Sequence, residues 1–180
     1  MEANMRKIIL NLAISLDGYI SKNDGGFDWI IGQGDFSADT ENQFNFEAFK
    51  DSVDTVVMGS IAYEDCVLSG LDTYEGKKMI VATSRKFESH KHVEFVNGDI
   101  CGRILELRQE EGKNIWLFGG AGLTDSFIKS DIIDEYIIGI IPVILGEGKK
   151  LFNKNNPTIN LKLTECTVQE GIPIMRYSKR

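Results

Sequence analysis

The stretch NIWLFGGAGLTDSFIKS, residues 114–130, runs from bulky apolar residues into Gly119 and Gly120 and then into helical spacing. It reads as a strand over 114–118, a glycine turn, and a helix over 121–130. Paired glycines at such a junction do one of two things. They make a tight turn, or they clear side chains so that an anionic ligand can reach the free N–H groups and positive end of the helix.

The same alternation extends in both directions. Residues 7–15 form a nearly continuous apolar run, which suits a central strand covered on both faces. Residues 22–37, KNDGGFDWIIGQGDFS, are glycine-rich and read as a long loop. Thr40 and Gln43 have capping-box spacing, which predicts a helix over 41–51. Strands are predicted over 54–59, 77–83 and 92–96, with a helical segment over 60–67. Ile100, Ile104 and Leu107 share one helical face, with Gly112 as the stop. A long strand over 134–145 should be disturbed near Pro142, which cannot donate to a ladder. Residues 161–169 and 172–178 close the chain as an antiparallel pair around Glu170 and Gly171. Strands alternating with helices, then strands alone, define an α/β protein with a mixed sheet.

At 180 residues the chain is read as one domain, 1–180, with 1–5 expected to be disordered. A net charge of −7 argues against non-specific nucleic-acid binding. The longest apolar run, 137–145, is far shorter than the roughly 20 residues a membrane helix needs, so no membrane partner is expected. With no convincing cleavage site near the start, a cytoplasmic location is expected. Cys66, Cys101 and Cys166 are scattered and are read as buried apolar residues. His90 and His92 lack a third partner, so no metal site is expected. The GEGKK segment lacks P-loop spacing and reads as a turn.

Two further strand ends resemble the first. In VVMGSIAYE a strand runs into Gly59 and then a helical segment. In VATSRKF, Thr83, Ser84 and Arg85 follow a strand directly, and hydroxyls beside a guanidinium suit a terminal phosphate. Ligands of open α/β sheets collect outside the carboxyl ends of strands, where all three sites fall. One such junction is ordinary; three point to a dinucleotide.

SLDGYI, VVMG…YE, TSR, WLFGGAGL and IDEYIIGIIPVILGEGKKLF occur in the order in which the dihydrofolate-reductase-like superfamily carries similar segments. The chain resembles in particular the branch similar to the reductase domain of bacterial riboflavin biosynthesis, over residues 6–180. The resemblance implies a three-layer α/β/α fold with a mainly parallel central sheet and antiparallel C-terminal strands. It also implies an NADPH-dependent reductase, NADPH being favoured over NADH, and a homodimer through the late strands. Ile138, Ile140, Ile141 and Val143 are candidates for that interface, with plain core as the rival reading.

Carried over by position, the resemblance sets Ala13 and Ile20 beside the nicotinamide. It sets Gly59, Ser60 and Ala62 near the pyrophosphate, and Thr83, Ser84 and Arg85 at the adenosine and its 2′-phosphate. Phe118, Gly119, Gly120, Ala121, Gly122 and Leu123 would wrap the diphosphate and nicotinamide ribose. In the family the glycine pair is joined by a cis peptide, which is expected here too. Asn11, Asp17, Asp28 and Trp29 are the candidates for substrate contact. Asp17 is the candidate catalytic residue, as substrate anchor or proton donor, with turn capping as the competing role. Asp28 and Trp29 suit a lid, although Trp29 equally suits a core anchor.

The chain also departs from the family. Ser60, Ile61 and Ala62 stand where members usually carry an arginine and, two residues on, a threonine. A missing guanidinium removes a charge-assisted contact of about 1.5–3 kcal/mol. That leaves weaker NADPH binding, or a different nucleotide or flavin in the groove, or a binding protein without turnover as readings. Residues 43–45 offer amides where dihydrofolate reductases carry a carboxylate, and Glu41 and Glu47 are out of register. Folate reduction is therefore not expected; a small heterocyclic or sugar-linked substrate is, such as a riboflavin-pathway aminouracil.

Overall fold

The first strand, β1 (Ile8–Ser15), lies deep in the sheet, and its apolar run is explained by cover on both sides. Ile8 and Leu10 face one buried cluster and Ile9 faces another. A computed structural model describes residues 5–67, 74 and 76–180. Cys66's side chain and most of the expected disordered start, residues 1–4, fall outside what it describes.

The other strands of the main sheet are β3 (Val53–Gly59), β4 (Lys78–Ala82), β5 (Val93–Val96), β6 (Asn114–Gly119), β7 (Glu135–Ile141), β9 (Leu161–Gln169) and β10 (Ile172–Lys179). Among the described residues their order is β5-β4-β3-β6-β1-β7-β10-β9. From β5 to β7 every pairing is parallel; β10 then runs antiparallel to β7, and β9 antiparallel to β10. Two short strands, β2 (Tyr19–Ser21) and β8 (Lys149–Lys150), pair with each other.

Alternation along the strands assigns the layers. Ile8, Leu10, Val57, Ile80, Ile115 and Leu117 pack against α3 (Ile100–Leu107) and α4 (Ala121–Lys129) through Ile104, Leu107, Phe127 and Ile128. Ile9, Val56, Met58, Met79, Val81 and Trp116 pack on the other side with Phe49 of α1 (Phe46–Asp51) and Tyr63. The result is the expected α/β/α arrangement. At the amino edge, buried Arg6 ties three segments together. It pairs with Asp54, donates to Thr55 Oγ1 at 2.8 Å and to the Lys113 carbonyl at 2.5 Å.

Some boundaries differ from expectation. The helix predicted from residue 41 begins at Phe46, because Asn45 is its cap: Asn45 Oδ1 accepts from Ala48 N at 2.9 Å. Thr40 caps nothing. It bonds to β9 instead, donating its N–H to the Val168 carbonyl at 3.1 Å and accepting from Val168 N at 3.0 Å. The strand predicted over 134–145 stops at Ile141, immediately before Pro142. Ile138 and Ile141 are buried within the single chain, so plain core accounts for both. Cys101 is buried as expected, but Cys166 is exposed, since it lies on the edge strand β9. Among the described residues, no helix is long and apolar enough to cross a membrane.

Candidate active site at the carboxyl edge of the sheet

Because β4, β3 and β6 are parallel neighbours, their carboxyl ends share one edge. Gly59 stands opposite Ala82 of β4, and Met58 opposite Gly119 of β6. The three junctions singled out from the sequence are therefore adjacent.

Side chains leave this edge open. A Cβ on Gly59 would meet only the Gly119 carbonyl, at 3.9 Å, and Cβ atoms on Gly120 or Gly122 would meet nothing within 4 Å. Gly119 and Gly120 have φ of 117° and 98°, a region that excludes most side-chain-bearing residues. These angles make the turn; no cis peptide occurs among the described residues, so the cis bond expected from the family is absent. Gly120 is the N-cap of α4 and no side chain caps that helix. The N–H groups of Ala121, Gly122 and Leu123, at its positive end, are thus placed to meet an anion.

Beneath the turn lies Thr124, a residue the sequence did not suggest. It is 0% exposed and its hydroxyl has no partner, while a Cβ on Gly119 would sit 3.7 Å from that oxygen. A buried orphan hydroxyl beside an open glycine turn fits a site that a ligand completes.

At the β3 end, Gly59 leads into α2 (Ser60–Ala62), again without a side-chain cap, and then into a π-helical turn (Tyr63–Val67). At the β4 end, Thr83 Oγ1 accepts from Arg85 N at 3.0 Å and fixes the bend; Ser84 and Arg85 are exposed. The Arg85 guanidinium meets Glu64 at 2.6 Å. Phe118 turns its ring toward Trp116 and Tyr74, with centroids at 5.3 and 6.1 Å, so it offers the groove mainly backbone.

Ala13 of β1 stands opposite Gly139 of β7, leaving that part of the sheet low. Ile20 of β2 packs on the core instead. Asn11, opposite Ile137, accepts from Trp116 Nε1 at 3.0 Å through its carbonyl. Its side-chain Nδ2 is buried with no partner, a donor available to a substrate oxygen or nitrogen.

Asp17 is held by protein donors. Its Oδ1 accepts from Ser15 Oγ at 2.7 Å and Leu145 N at 3.1 Å, and its Oδ2 from Gly146 N at 2.8 Å. The Ser15 hydroxyl, with the Gly146 and Leu145 amides adding to it against some desolvation, holds the carboxyl down to about 2. A group so acidic carries no proton to give at neutral pH. Of the roles open to Asp17, these bonds fit a clamp between the β1 turn and residues 145–146.

Asp28 is exposed and paired with Lys22 at 2.8 Å, and Lys22 lowers its pKa. Trp29 is buried, with Nε1 donating to the Gly26 carbonyl at 3.3 Å, as a core anchor would be. The glycine-rich loop that holds both is pinned to the β9–β10 turn by Gln33 N on the Glu170 carbonyl at 3.0 Å. Among the described residues no cluster of three or more His, Cys, Asp or Glu could hold a metal.

Comparison with known proteins places this geometry. Residues 71–171 match the RibD C-terminal domain family. The uncharacterized protein YwjB of Bacillus subtilis strain 168 is 40% identical over 164 residues, covering 89% of this chain and 91% of YwjB. A crystal structure of a Shewanella sp. PV-4 protein, named for riboflavin biosynthesis, superposes with a TM-score of 0.78 at 26% identity, over 97% of this chain and 99% of that one. Dihydrofolate reductase from Enterococcus faecalis, complexed with NADP(H) and RAB-propyl, shares the fold at a TM-score of 0.65 and 16% identity, over 97% and 96% of the two chains. The chain belongs to the RibD C-terminal domain family, built on a dihydrofolate-reductase-like fold.

Proposed function

We propose that this protein is an NADPH-linked reductase, acting as a cytoplasmic homodimer on a small heterocyclic or sugar-linked substrate. A riboflavin-pathway aminouracil resembling 5-amino-6-(5-phosphoribosylamino)uracil is the leading candidate. The observation that carries the reading is the convergence of Gly59, residues 83–85 and the Gly119–Gly120 turn on one open edge. Membership of the RibD C-terminal domain family supports it, as does the NADP(H) complex of the dihydrofolate reductase that shares the fold.

Bound at this edge, NADPH would supply a hydride from its nicotinamide. The chain's own work is positional. The α4 amide groups and Gly120 would receive the diphosphate, Ser60 and Ala62 would border it, and Arg85 would meet the 2′-phosphate. Ala13 leaves room for a flat ring against β1, and Asn11 Nδ2 would orient the acceptor by donating to it. Holding the reacting carbons within about 3.5 Å is the main contribution such a site makes. Asp17 would fix the loop at residues 145–146, and the proton would come from solvent.

A second reading, a nucleotide-binding protein without turnover, is favoured by Ser60, Ile61 and Ala62 standing in place of the family's arginine and threonine. NADPH oxidation followed at 340 nm against a panel of aminouracil and pterin substrates separates the two. Saturable consumption with an aminouracil supports the reductase; binding without consumption across the panel supports the sensor.

A further inference from the structure

Arg85 is already engaged. Its Nη2 lies 2.6 Å from Glu64 Oε2, and its guanidinium carbon sits 5.2 Å from the centre of the Phe87 ring. Glu64 comes from the π-helical turn after β3 and Arg85 from the chain after β4, so the pair bridges two adjacent carboxyl ends. An aromatic platform supports it. Phe87 stacks on Phe95 at 5.0 Å, and Tyr63, beside Glu64, packs edge-on to both at 5.8 and 5.5 Å. Both charged side chains remain open to solvent, 52% exposed for Arg85 and 37% for Glu64. A ligand can therefore reach either one.

We propose that Glu64 is a specificity-determining residue that sets the choice between phosphorylated and unphosphorylated dinucleotide. It acts as an internal anion on Arg85, which a 2′-phosphate must displace. The inference rests on the reading that a dinucleotide lies over this edge.

The physical basis is competition. A carboxylate and a phosphate seek the same forked donors. While Glu64 occupies Arg85, an incoming 2′-phosphate meets a neutralised arginine and a like charge beside it. A ribose with a free 2′-hydroxyl suffers no repulsion and can donate to the carboxylate. Arg85 is the one cation among the residues assigned to the groove, so its neutralisation bears directly on the selectivity for a 2′-phosphate. NADPH then outcompetes NADH by less than an unopposed arginine would give.

Calorimetric titration of NADPH and NADH into the wild type, Glu64→Gln, Arg85→Ala and the double variant tests this. Glutamine keeps the size and a hydrogen bond to Arg85 at a partly exposed position, and a melting curve for each variant verifies folding. Relief of one like charge beside the phosphate, at an exposed pair, should tighten NADPH about three- to fivefold in Glu64→Gln, with NADH unchanged or slightly weaker. The gain should vanish when Arg85 is also replaced. An unchanged NADPH-to-NADH ratio in Glu64→Gln overturns the proposal, as does a gain that survives in the double variant. If neither nucleotide binds any form, the groove reading falls and takes this one with it.

Discussion

Asp17 shows how one residue's chemistry is set by partners far away in the chain. Its carboxylate accepts from Ser15 two positions back and from Leu145 and Gly146 across the molecule. These donors lower its pKa from 3.8 to about 2. A depressed carboxyl contributes stability that is present above its unfolded pKa and lost as pH falls through the folded one. Asp17→Asn, which cannot accept with its NH2 group, should therefore be less stable than wild type at pH 7. The gap should close between pH 4 and pH 2 as the wild-type carboxyl protonates. Glu94, held near 2 by Arg103 and then Lys78, titrates in the same window in both proteins and cancels in the difference. Urea titrations at several pH values check this; a gap unchanged at pH 2 would contradict the clamp.

Among the elements, α1 carries the clearest lesson. Thr40 and Gln43 have the spacing of a capping box, yet Asn45 caps the helix and Thr40 bonds to Val168. Replacing Asn45 by alanine should cost about 1 kcal/mol of stability, as loss of an N-cap does. Thr40→Ala should leave α1 intact and loosen the loop along β9, seen as faster amide exchange at Val168. Equal helix loss in both variants would contradict this assignment. Local signals read correctly where the deciding contacts are local. The apolar run of β1, the β6–α4 junction and the β9–β10 hairpin with Glu170 and Gly171 at positive φ all follow from their own residues. What the sequence hides is long-range partnership. The β2–β8 pair, Thr40 with Val168, and Asp17 with residues 145–146 each join segments more than a hundred positions apart. Arg85 was legible as a phosphate donor, but its neutralisation by Glu64 was not, because nothing local ties position 64 to 85. Likewise Thr124 sits on an apolar helix face where only the fold shows its hydroxyl to be orphaned.

At the scale of the whole molecule, parallel pairing does the decisive thing. It sends the ends of β4, β3 and β6 to one edge and so gathers backbone donors that are about 25 to 60 residues apart in sequence. An overall charge of −7 does not prevent anion binding there, because free amides at a helix start act locally. The amino edge has a different character. Arg6 is buried and satisfied by Asp54, Thr55 and the Lys113 carbonyl, which is the pattern of a structural brace. Two-dimensional 15N–1H spectra recorded as NADPH is added test the central claim most directly. Amide shifts are expected to cluster at Gly59–Ala62, at Thr83–Arg85 and at Gly119–Leu123, all with one dissociation constant. Shifts confined to the amino edge around Arg6 and Lys77, or none at saturating NADPH, would contradict it.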